Sequence, residues 1–207
     1  FIAALITCNL IANKFISLDL GFKTFIISAG VLPYPITFLI TDILSELYGR
    51  KRTTHVVLSG LFASLFVLLI LWLGAQFPAI ESSPVDDTTF DQVFQNAWRV
   101  IAASMLAYLV AQLVDVRLFH FWKGITGGRM LWVRNNFSTI VSQLIDTTLV
   151  VVVLFIGVES TETMTGYIAD GWMFKALCAL FDTVLIYLFM AWARKFFGLR
   201  LGEEIQL

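Results

Sequence analysis

The sequence predicts an all-α integral membrane protein, built as a bundle of six transmembrane helices. Of its 207 residues, 58% are apolar and only 14% are charged, whereas soluble domains average about 25% charged residues. The apolar residues form six long runs separated by charged or turn residues, and a membrane-spanning helix needs about 20 mostly apolar residues. We therefore expect a single membrane domain in contact with the lipid bilayer.

Six helices are predicted in chain order. The first is short and starts with Phe1, so we expect its beginning to be missing. The second contains Pro33 and Pro35, and proline in an apolar run kinks or breaks a helix. Such a break is tolerated at membrane depth only where it is buried in protein or lines a wet cavity. The six predicted spans are residues 1–13, 24–48, 53–77, 98–121, 131–158 and 167–197.

Basic residues orient the predicted bundle. Lys and Arg follow the second and sixth helices and separate the fourth from the fifth, whereas the opposite connections are mainly acidic. Because short cytoplasmic loops are enriched in Lys and Arg, we expect both termini in the cytoplasm. The basic residues on that side are Arg50, Lys51, Arg52, Arg117, Lys123, Arg129, Arg134, Arg194, Lys195 and Arg200.

The connection between the third and fourth helices is too polar to span a membrane. Its apolar residues nevertheless recur at helical spacing, which predicts an amphipathic segment in the outer interface. Thr89 and Gln92 resemble a capping box that would start this helix. A connector is favoured over a gating lid. The apolar positions are Phe90, Val93, Phe94, Ala97 and Trp98.

Several classes of protein are excluded by composition and motifs. The net charge of −1 argues against a nucleic-acid binder, which would carry a basic face. Cys8 and Cys178 lie apart in apolar runs, so no disulfide framework and no metal site is predicted. Catalytic motifs such as G-x-S-x-G and H-E-x-x-H are missing from the sequence. We expect neither enzyme activity nor a cofactor.

Polar residues recur at helical spacing inside the predicted spans. An ionisable side chain near the bilayer centre costs about 2.5–3.5 kcal/mol, so its default interpretation is functional. Three helices direct such residues toward a shared interior. They are Thr41, Asp42 and Glu46 on the second helix, Tyr108, Gln112 and Asp115 on the fourth, and Asn136, Thr139, Gln143 and Asp146 on the fifth. Asn9, Asn13, Lys175, Cys178 and Asp182 add polar groups on the first and sixth helices.

Depth in the membrane distinguishes these acids. Asp42 lies roughly 12 Å above Arg50, and Asp146 lies roughly 18 Å above Arg134, from the helical rise per residue. Both acids lack an obvious basic partner within the spans, which favours a role at a substrate cavity.

The remaining charged groups are predicted nearer the surfaces. Glu46 and Asp115 lie toward the cytoplasm, where Arg50 and Arg117 could neutralise them. Lys175 lies near the outer end and is expected to reach water with its amine.

The polar residues suit more than one solute. Carboxylates accept hydrogen bonds, amides donate and accept, and aromatic rings stack. That combination fits a planar heterocycle with paired N–H donors, and it fits a cation or proton path equally well.

Three blocks of residues resemble the signature of the queuosine precursor transporters, also called the vitamin uptake transporter family. Residues 30–42 read GVLPYPITFLITD and are followed by Glu46, Tyr48 and Gly49. The other blocks are Gln112 with Asp115 and Phe119, and Arg134, Asn135 and Asn136 with Ser138, Gln143 and Asp146. The resemblance covers essentially the whole chain in matched order and spacing.

The resemblance implies an inner-membrane importer of 7-cyano-7-deazaguanine or 7-aminomethyl-7-deazaguanine, the bases from which queuosine in tRNA is made. It also implies a fold similar to the six-helix substrate-binding subunits of energy-coupling-factor vitamin transporters. A carboxylate could grip the N–H and amine edge of such a base. We expect substrate contacts from Asp42, Gln112, Asn136, Gln143 and Asp146. Supporting roles are expected for Thr41, Glu46, Tyr108, Asp115, Arg134 and Asn135.

Three other functions stay open on the sequence. They are a binding subunit that needs an external ATPase, a proton or cation channel, and a structural membrane protein. Ala4, Cys8 and Ala12 form a ridge of small residues that allows another helix to approach closely, from the same bundle or from a partner. The sequence also leaves a homo-oligomer open.

Overall fold

The fold is mostly helical in this computed structural model. The structure describes residues 1–12, 14–95, 98–127, 129–157, 159–200 and 203–205. Within these ranges, the side chains of residues 95 and 98–101 are not described. Asn13, Ala97 and Val158, and the side chain of Trp98, thus lie outside the described part. The elements are α1 (Ile2–Leu10), β1 (Phe15–Asp19), β2 (Thr24–Ser28), a 3-10 turn (Ala29–Val31), α2 (Tyr34–Gly74), α3 (Asp87–Phe90), a π-helical turn (Asp91–Gln95), α4 (Trp98–Ile125), α5 (Leu131–Phe155) and α6 (Thr161–Phe197).

A β-hairpin stands where the second helix was predicted to start. Residues 15–19 pair antiparallel with residues 24–28. Aromatic and β-branched residues favour strands, and their alternation buries Phe25 and Ile27 against Phe174 of α6. The predicted helix start at residue 24 is therefore wrong. The predicted all-α class is wrong to the extent that it contains no strands. The mostly helical architecture is confirmed.

The two prolines mark the beginning of α2 rather than a kink inside it. Pro33 is the residue before the helix, and Pro35 lies in its first turn. The first helical turn leaves its N–H groups without intrahelical partners, so proline loses nothing there. The predicted internal kink at these prolines is wrong for this reason.

The long helix α2 turns back on itself at Gly49. This residue has φ 78° and ψ 172°, a conformation that glycine adopts without steric cost. Phe38 and Val57, on either side of the break, pack in one apolar cluster, although a straight helix would hold them roughly 28 Å apart. The boundary predicted between the second and third runs is thus present as a sharp break. The expected loop at residues 50–52 is helical instead.

Capping residues move other predicted helix boundaries. Ser160 accepts a hydrogen bond from the Thr163 N–H at 3.1 Å, so α6 begins at Thr161 rather than at residue 167. The predicted fourth helix ends at residue 121, but α4 continues to Ile125. The fifth was predicted to reach residue 158, and α5 ends at Phe155.

Asp86, rather than a Thr89 and Gln92 box, caps the short helix α3. The Thr89 N–H donates to Asp86 Oδ1 at 2.8 Å. Hydrogen bonds from the hydroxyl and the backbone N–H of Thr89 hold the pKa of Asp86 below its usual range. Helical structure from residue 87 to 95 agrees with the predicted segment, and its position at the membrane interface stays a prediction.

The described residues bury many polar side chains and expose many large apolar ones, as expected for a protein solvated by lipid. Helix α5 buries a row of polar side chains from Arg134 to Thr147, while Phe137, Val141 and Val153 are exposed. Four helical stretches are long and apolar enough to cross a membrane. They are Ala29–Gly74, Ala102–Ile125, Leu131–Phe155 and Thr161–Phe197.

Candidate functional site

Helix α5 carries polar groups at three levels between two ends of the molecule. We call the end near Arg50 and Arg134 the basic end, and the end near the β1–β2 hairpin the hairpin end. Arg134 and Asp146 are separated by roughly 18 Å along the helix. The site is described from the basic end upward.

An ion cluster closes the basic end. Glu46 is 1% exposed and Arg134 is fully buried, and Arg134 Nη2 donates to Glu46 Oε1 at 2.5 Å. Arg194 reaches the same oxygen at 3.3 Å, and Lys123 lies 3.8 Å from Glu46 Oε2. Lys123 also pairs with Glu204 of the C-terminal segment at 2.9 Å. The basic-end cluster thus joins α2, α4, α5, α6 and the C-terminal segment.

The expected partners of Glu46 and Asp115 are wrong. Arg50 is exposed beyond the break at Gly49, and Arg117 is exposed as well. Arg117 follows Asp115 by two positions, and residues so spaced on a helix do not face each other. Glu46 pairs with the basic-end cluster instead.

A central polar layer lies above this cluster. We define it as Asp42, Gln112, Asp115, Thr139, Ser142 and Gln143, all of them buried. Ser142 Oγ donates to Asp115 Oδ1 at 3.0 Å, and Thr139 Oγ1 donates to Asp42 Oδ2 at 3.4 Å. Thr139 and Ser142 are three residues apart and share a face of α5, so the two carboxyl groups lie against the same face of this helix.

Unpartnered polar atoms distinguish the central polar layer. No hydrogen-bond partner among the described residues reaches Asp42 Oδ1, Asp115 Oδ2, Gln143 Oε1 or either amide atom of Gln112. More than 90% of buried polar groups in proteins are hydrogen-bonded. So many exceptions in one layer indicate a place where water or a solute is accommodated.

The other predicted residues surround this layer. Asn136 Nδ2 donates to Thr183 Oγ1 of α6 at 2.7 Å, and Asn135 lies 3.5 Å from the same hydroxyl oxygen. Tyr108 is buried, and its hydroxyl has no hydrogen-bond partner in the part of the chain that the structure describes. Thr41 donates to the backbone carbonyl of Phe38 at 2.9 Å, so its hydroxyl is occupied within its own helix.

A cavity of about 340 Å³ lies at the hairpin end, within the range of about 300–1,000 Å³ common for small-molecule sites. Of the five predicted substrate contacts, Asp146 lines it and the other four do not. Its apolar lining includes Ile26 and Ile27 of β2 and Val150, Val151, Leu154 and Phe155 of α5. Its polar lining includes Asn9, Ser28, Tyr34, Ser104, Asp146, Thr147 and Lys175.

Asp146 has a basic partner, contrary to the sequence prediction. Lys175 Nζ donates to Asp146 Oδ2 at 2.6 Å and to Thr147 Oγ1 at 3.1 Å. The Tyr34 hydroxyl donates to Asp146 Oδ1 at 2.9 Å, and the Lys175 amine lies 4.6 Å from the centre of the Tyr34 ring. Lys175 is only 7% exposed, so the expected extension of its side chain to the outer surface is wrong. An ion pair holds it inward.

Tyr34 and Lys175 are the functional candidates that sequence reasoning missed as site residues. Tyr34 stands between two prolines in the first sequence block, and Lys175 is a lone cation in an apolar run. A rule that pairs intramembrane acids with the nearest intramembrane cation would have joined Lys175 to Asp146.

Chemically, the cavity offers an aromatic face, a cation and a carboxylate at its polar side. The central polar layer offers carboxyl and amide atoms that have no hydrogen-bond partner among the described residues. Together they suit a planar polar solute that stacks and hydrogen-bonds along its edge.

Comparisons with known proteins agree with this arrangement. Residues 28–189 match the family model described as "Putative vitamin uptake transporter". The chain belongs to this vitamin uptake transporter family. Family membership confirms the resemblance drawn from the three sequence blocks.

Two relatives of the chain share one name. One, from Bacillus subtilis, is named "Probable queuosine precursor transporter" and is 32% identical over 76% of this chain and 69% of its own length. The other, from Haemophilus influenzae, has the same name and is 25% identical over 69% of this chain and 56% of its own length. No solved structure matches the chain.

Family and relatives establish the broad function. The chain is a transporter of a small molecule, a multi-pass membrane protein and not an enzyme, as predicted.

Proposed function

We propose that the chain imports queuosine precursor bases, 7-cyano-7-deazaguanine or 7-aminomethyl-7-deazaguanine, across the inner membrane. The printed names of both relatives support this substrate class. The basic end faces the cytoplasm in this proposal, because Lys and Arg are retained on that side. The six spans are α1, the two arms of α2 on either side of Gly49, α4, α5 and α6.

The observation that carries the proposal is the asymmetry of the two ends. A cavity is present at the hairpin end, where the rim residues Phe15 and Ile26 are exposed. The basic-end cluster occupies the opposite end with buried ion pairs. A carrier places its site near the midplane and closes one side at a time. The arrangement therefore fits a carrier that is open to the outside.

The base is proposed to meet two sets of contacts in sequence. In the cavity it stacks on Tyr34 beside the Lys175 and Asp146 pair. Each oxygen of Asp146 already accepts one hydrogen bond, and each has a second lone pair that can accept from the base. Asp42 and Gln112 have free polar atoms, and these receive the N–H and amine edge once the base moves inward.

Asn136 and Gln143 complete the proposed set of contacts. Each has a side-chain carbonyl oxygen without a partner, and such an oxygen can accept from the amine of the base. Glu46 and Arg134 belong to the basic-end cluster, which acts as the inner gate in this proposal, and they do not contact the base.

Internal packing supports a self-contained transporter. A Cβ on Gly30 would collide with the carbonyl oxygen of Cys8 and would lie 3.1 Å from Ala12 Cα. The small-residue ridge of α1 thus packs against its own chain, and this accounts for the ridge without an ATPase partner. The buried ion pairs at the basic end disfavour a channel, which needs a continuous wet path.

Uptake in cells tests this proposal. Cells that cannot make the base, and that lack their own transporter, should accumulate labelled 7-cyano-7-deazaguanine only when they express this chain. A variant with Lys175 and Asp146 both replaced by leucine should reach the membrane and transport poorly. Uptake equal to that of cells without the chain would contradict the proposed substrate.

A further inference from the structure

We infer that Asp42 and Asp115 form a carboxyl pair that binds one proton, and that this proton crosses the membrane together with the base. The inference rests on the proposed import function and adds its source of energy. Asp42 on α2 is 2% exposed and Asp115 on α4 is fully buried. The pair therefore lies in the bundle interior, between the cavity and the basic-end cluster.

The placement of the pair favours a bound proton. Thr139 and Ser142, three residues apart on α5, donate to Asp42 and Asp115 respectively, so the two buried carboxyl groups lie against the same face of that helix. Two carboxylates that share a site cannot both ionise readily, because like charges repel strongly away from water. One proton held by the pair removes this repulsion.

Neighbouring charges do not neutralise the pair. Among the described residues, no Lys, Arg or His forms an ion pair with Asp42 or Asp115. A third acid, Asp182 of α6, acts on Asp42. The groups of the packed helices that form ion pairs of their own are Glu46 on α2, Lys123 on α4, Arg134 and Asp146 on α5, and Lys175 and Arg194 on α6.

A separate observation points to a ligand at this place. Gln112 is fully buried one helical turn before Asp115, and neither its Nε2 nor its Oε1 has a partner among the described residues. Residues three apart on a helix share a face. An amide without partners beside the pair indicates that a polar solute fills the position during part of the cycle.

Proton and base bind together in this arrangement. With one proton bound, the pair carries one negative charge instead of two, and Asp42 Oδ1, which has no partner among the described residues, accepts from the N–H edge of the base. In the empty, unprotonated pair, two negative charges oppose closure around a dry site. Entry of one proton from the outside thus forms one O–H bond on the pair, and release to the cytoplasm breaks it. One proton accompanies one base.

The test uses the purified protein in liposomes, with 7-cyano-7-deazaguanine as the probe and the membrane voltage clamped by potassium and valinomycin. A proton gradient of one pH unit, acidic outside, should drive accumulation of the base up to about tenfold, since one pH unit corresponds to tenfold in an equilibrium constant. Without a proton gradient, adding the base outside should acidify the lumen.

Two variants locate the effect. Asp115→Asn removes one acid of the pair, so gradient-driven accumulation and acidification should fall by a much larger factor than exchange of labelled for unlabelled base. Asp182→Asn removes a neighbouring acid outside the pair and should retain both. If Asp115→Asn does not fold, the unaltered protein alone decides.

The outcomes separate this inference from the proposed function. Base exchange by the unaltered protein without acidification or gradient-driven accumulation would overturn the proton inference and leave the import function standing. Absence of any exchange would overturn both. Proton coupling that survives in Asp115→Asn would overturn the assignment to this pair.

Discussion

Replacement of Lys175 by methionine tests the ion pair beside the cavity. Lys175 and Asp146 are joined at 2.6 Å, with side chains 7% and 4% exposed. Removing one member of a buried pair costs about 3–5 kcal/mol, because it leaves an uncompensated charge. Asp146 lines a cavity that water can enter, so we expect the lower end, about 3 kcal/mol. Methionine retains the length and flexibility of the lysine stem.

A double-mutant cycle isolates the pair. Asp146→Asn should also destabilise the protein, and the double variant should be more stable than the sum of the two single effects predicts. We expect a coupling of about 2 kcal/mol, within the range found for residues in contact. Thermal melting of the detergent-solubilised protein at one pH gives the four stabilities. Additive effects, or a Lys175→Met variant as stable as the unaltered protein, would refute the buried ion pair.

Three further predictions follow from the same structure. Asp42→Asn and Asp146→Asn should each lower uptake by about tenfold or more at normal membrane abundance, from the loss of a charge-assisted hydrogen bond, and normal transport in both would contradict their assignment. Gly49→Ala should cost about 1–3 kcal/mol, because φ 78° with ψ 172° is a region that essentially only Gly adopts and because the Ala Cβ would meet the Glu204 carboxylate; an unchanged melting temperature would contradict the turn. Tyr34→Cys, in a cysteine-free background, should react with an impermeant thiol reagent from outside and be protected by the base, whereas labelling only from the inside would reverse the orientation.

Much of the helical framework could be predicted because apolar runs in lipid have few alternatives. All four long helical stretches were anticipated, and the break near residue 49 separates two runs as expected. The hairpin could not be distinguished from a helix start, since Phe25, Ile26 and Ile27 are consecutive apolar residues that lead into a longer apolar run, and a short apolar run fits a strand and a helix equally well. The helix-breaking prolines 33 and 35 were the available signal that α2 begins only there.

The site was predicted by residue but not by pairing. Helical spacing placed Asp42, Gln112 and Asp115 toward the interior, and they are buried together. Spacing along one helix carries no information about which residue of a neighbouring helix lies opposite. The partners Lys175 of Asp146 and Arg134 of Glu46 therefore emerge only from the packing of α2, α5 and α6.

The measurement that tests the central claim most directly is uptake by the purified protein in liposomes that contain no other protein. Labelled 7-cyano-7-deazaguanine should enter, saturate with concentration, and be displaced by unlabelled base, because the chain is proposed to hold both the site and the gate. Excess unlabelled guanine, which lacks the 7-cyano-7-deaza group, shows by how far it reduces uptake whether the chain selects for that group. Binding of the base without entry into the lumen would contradict a self-contained transporter and favour a binding subunit that needs a partner.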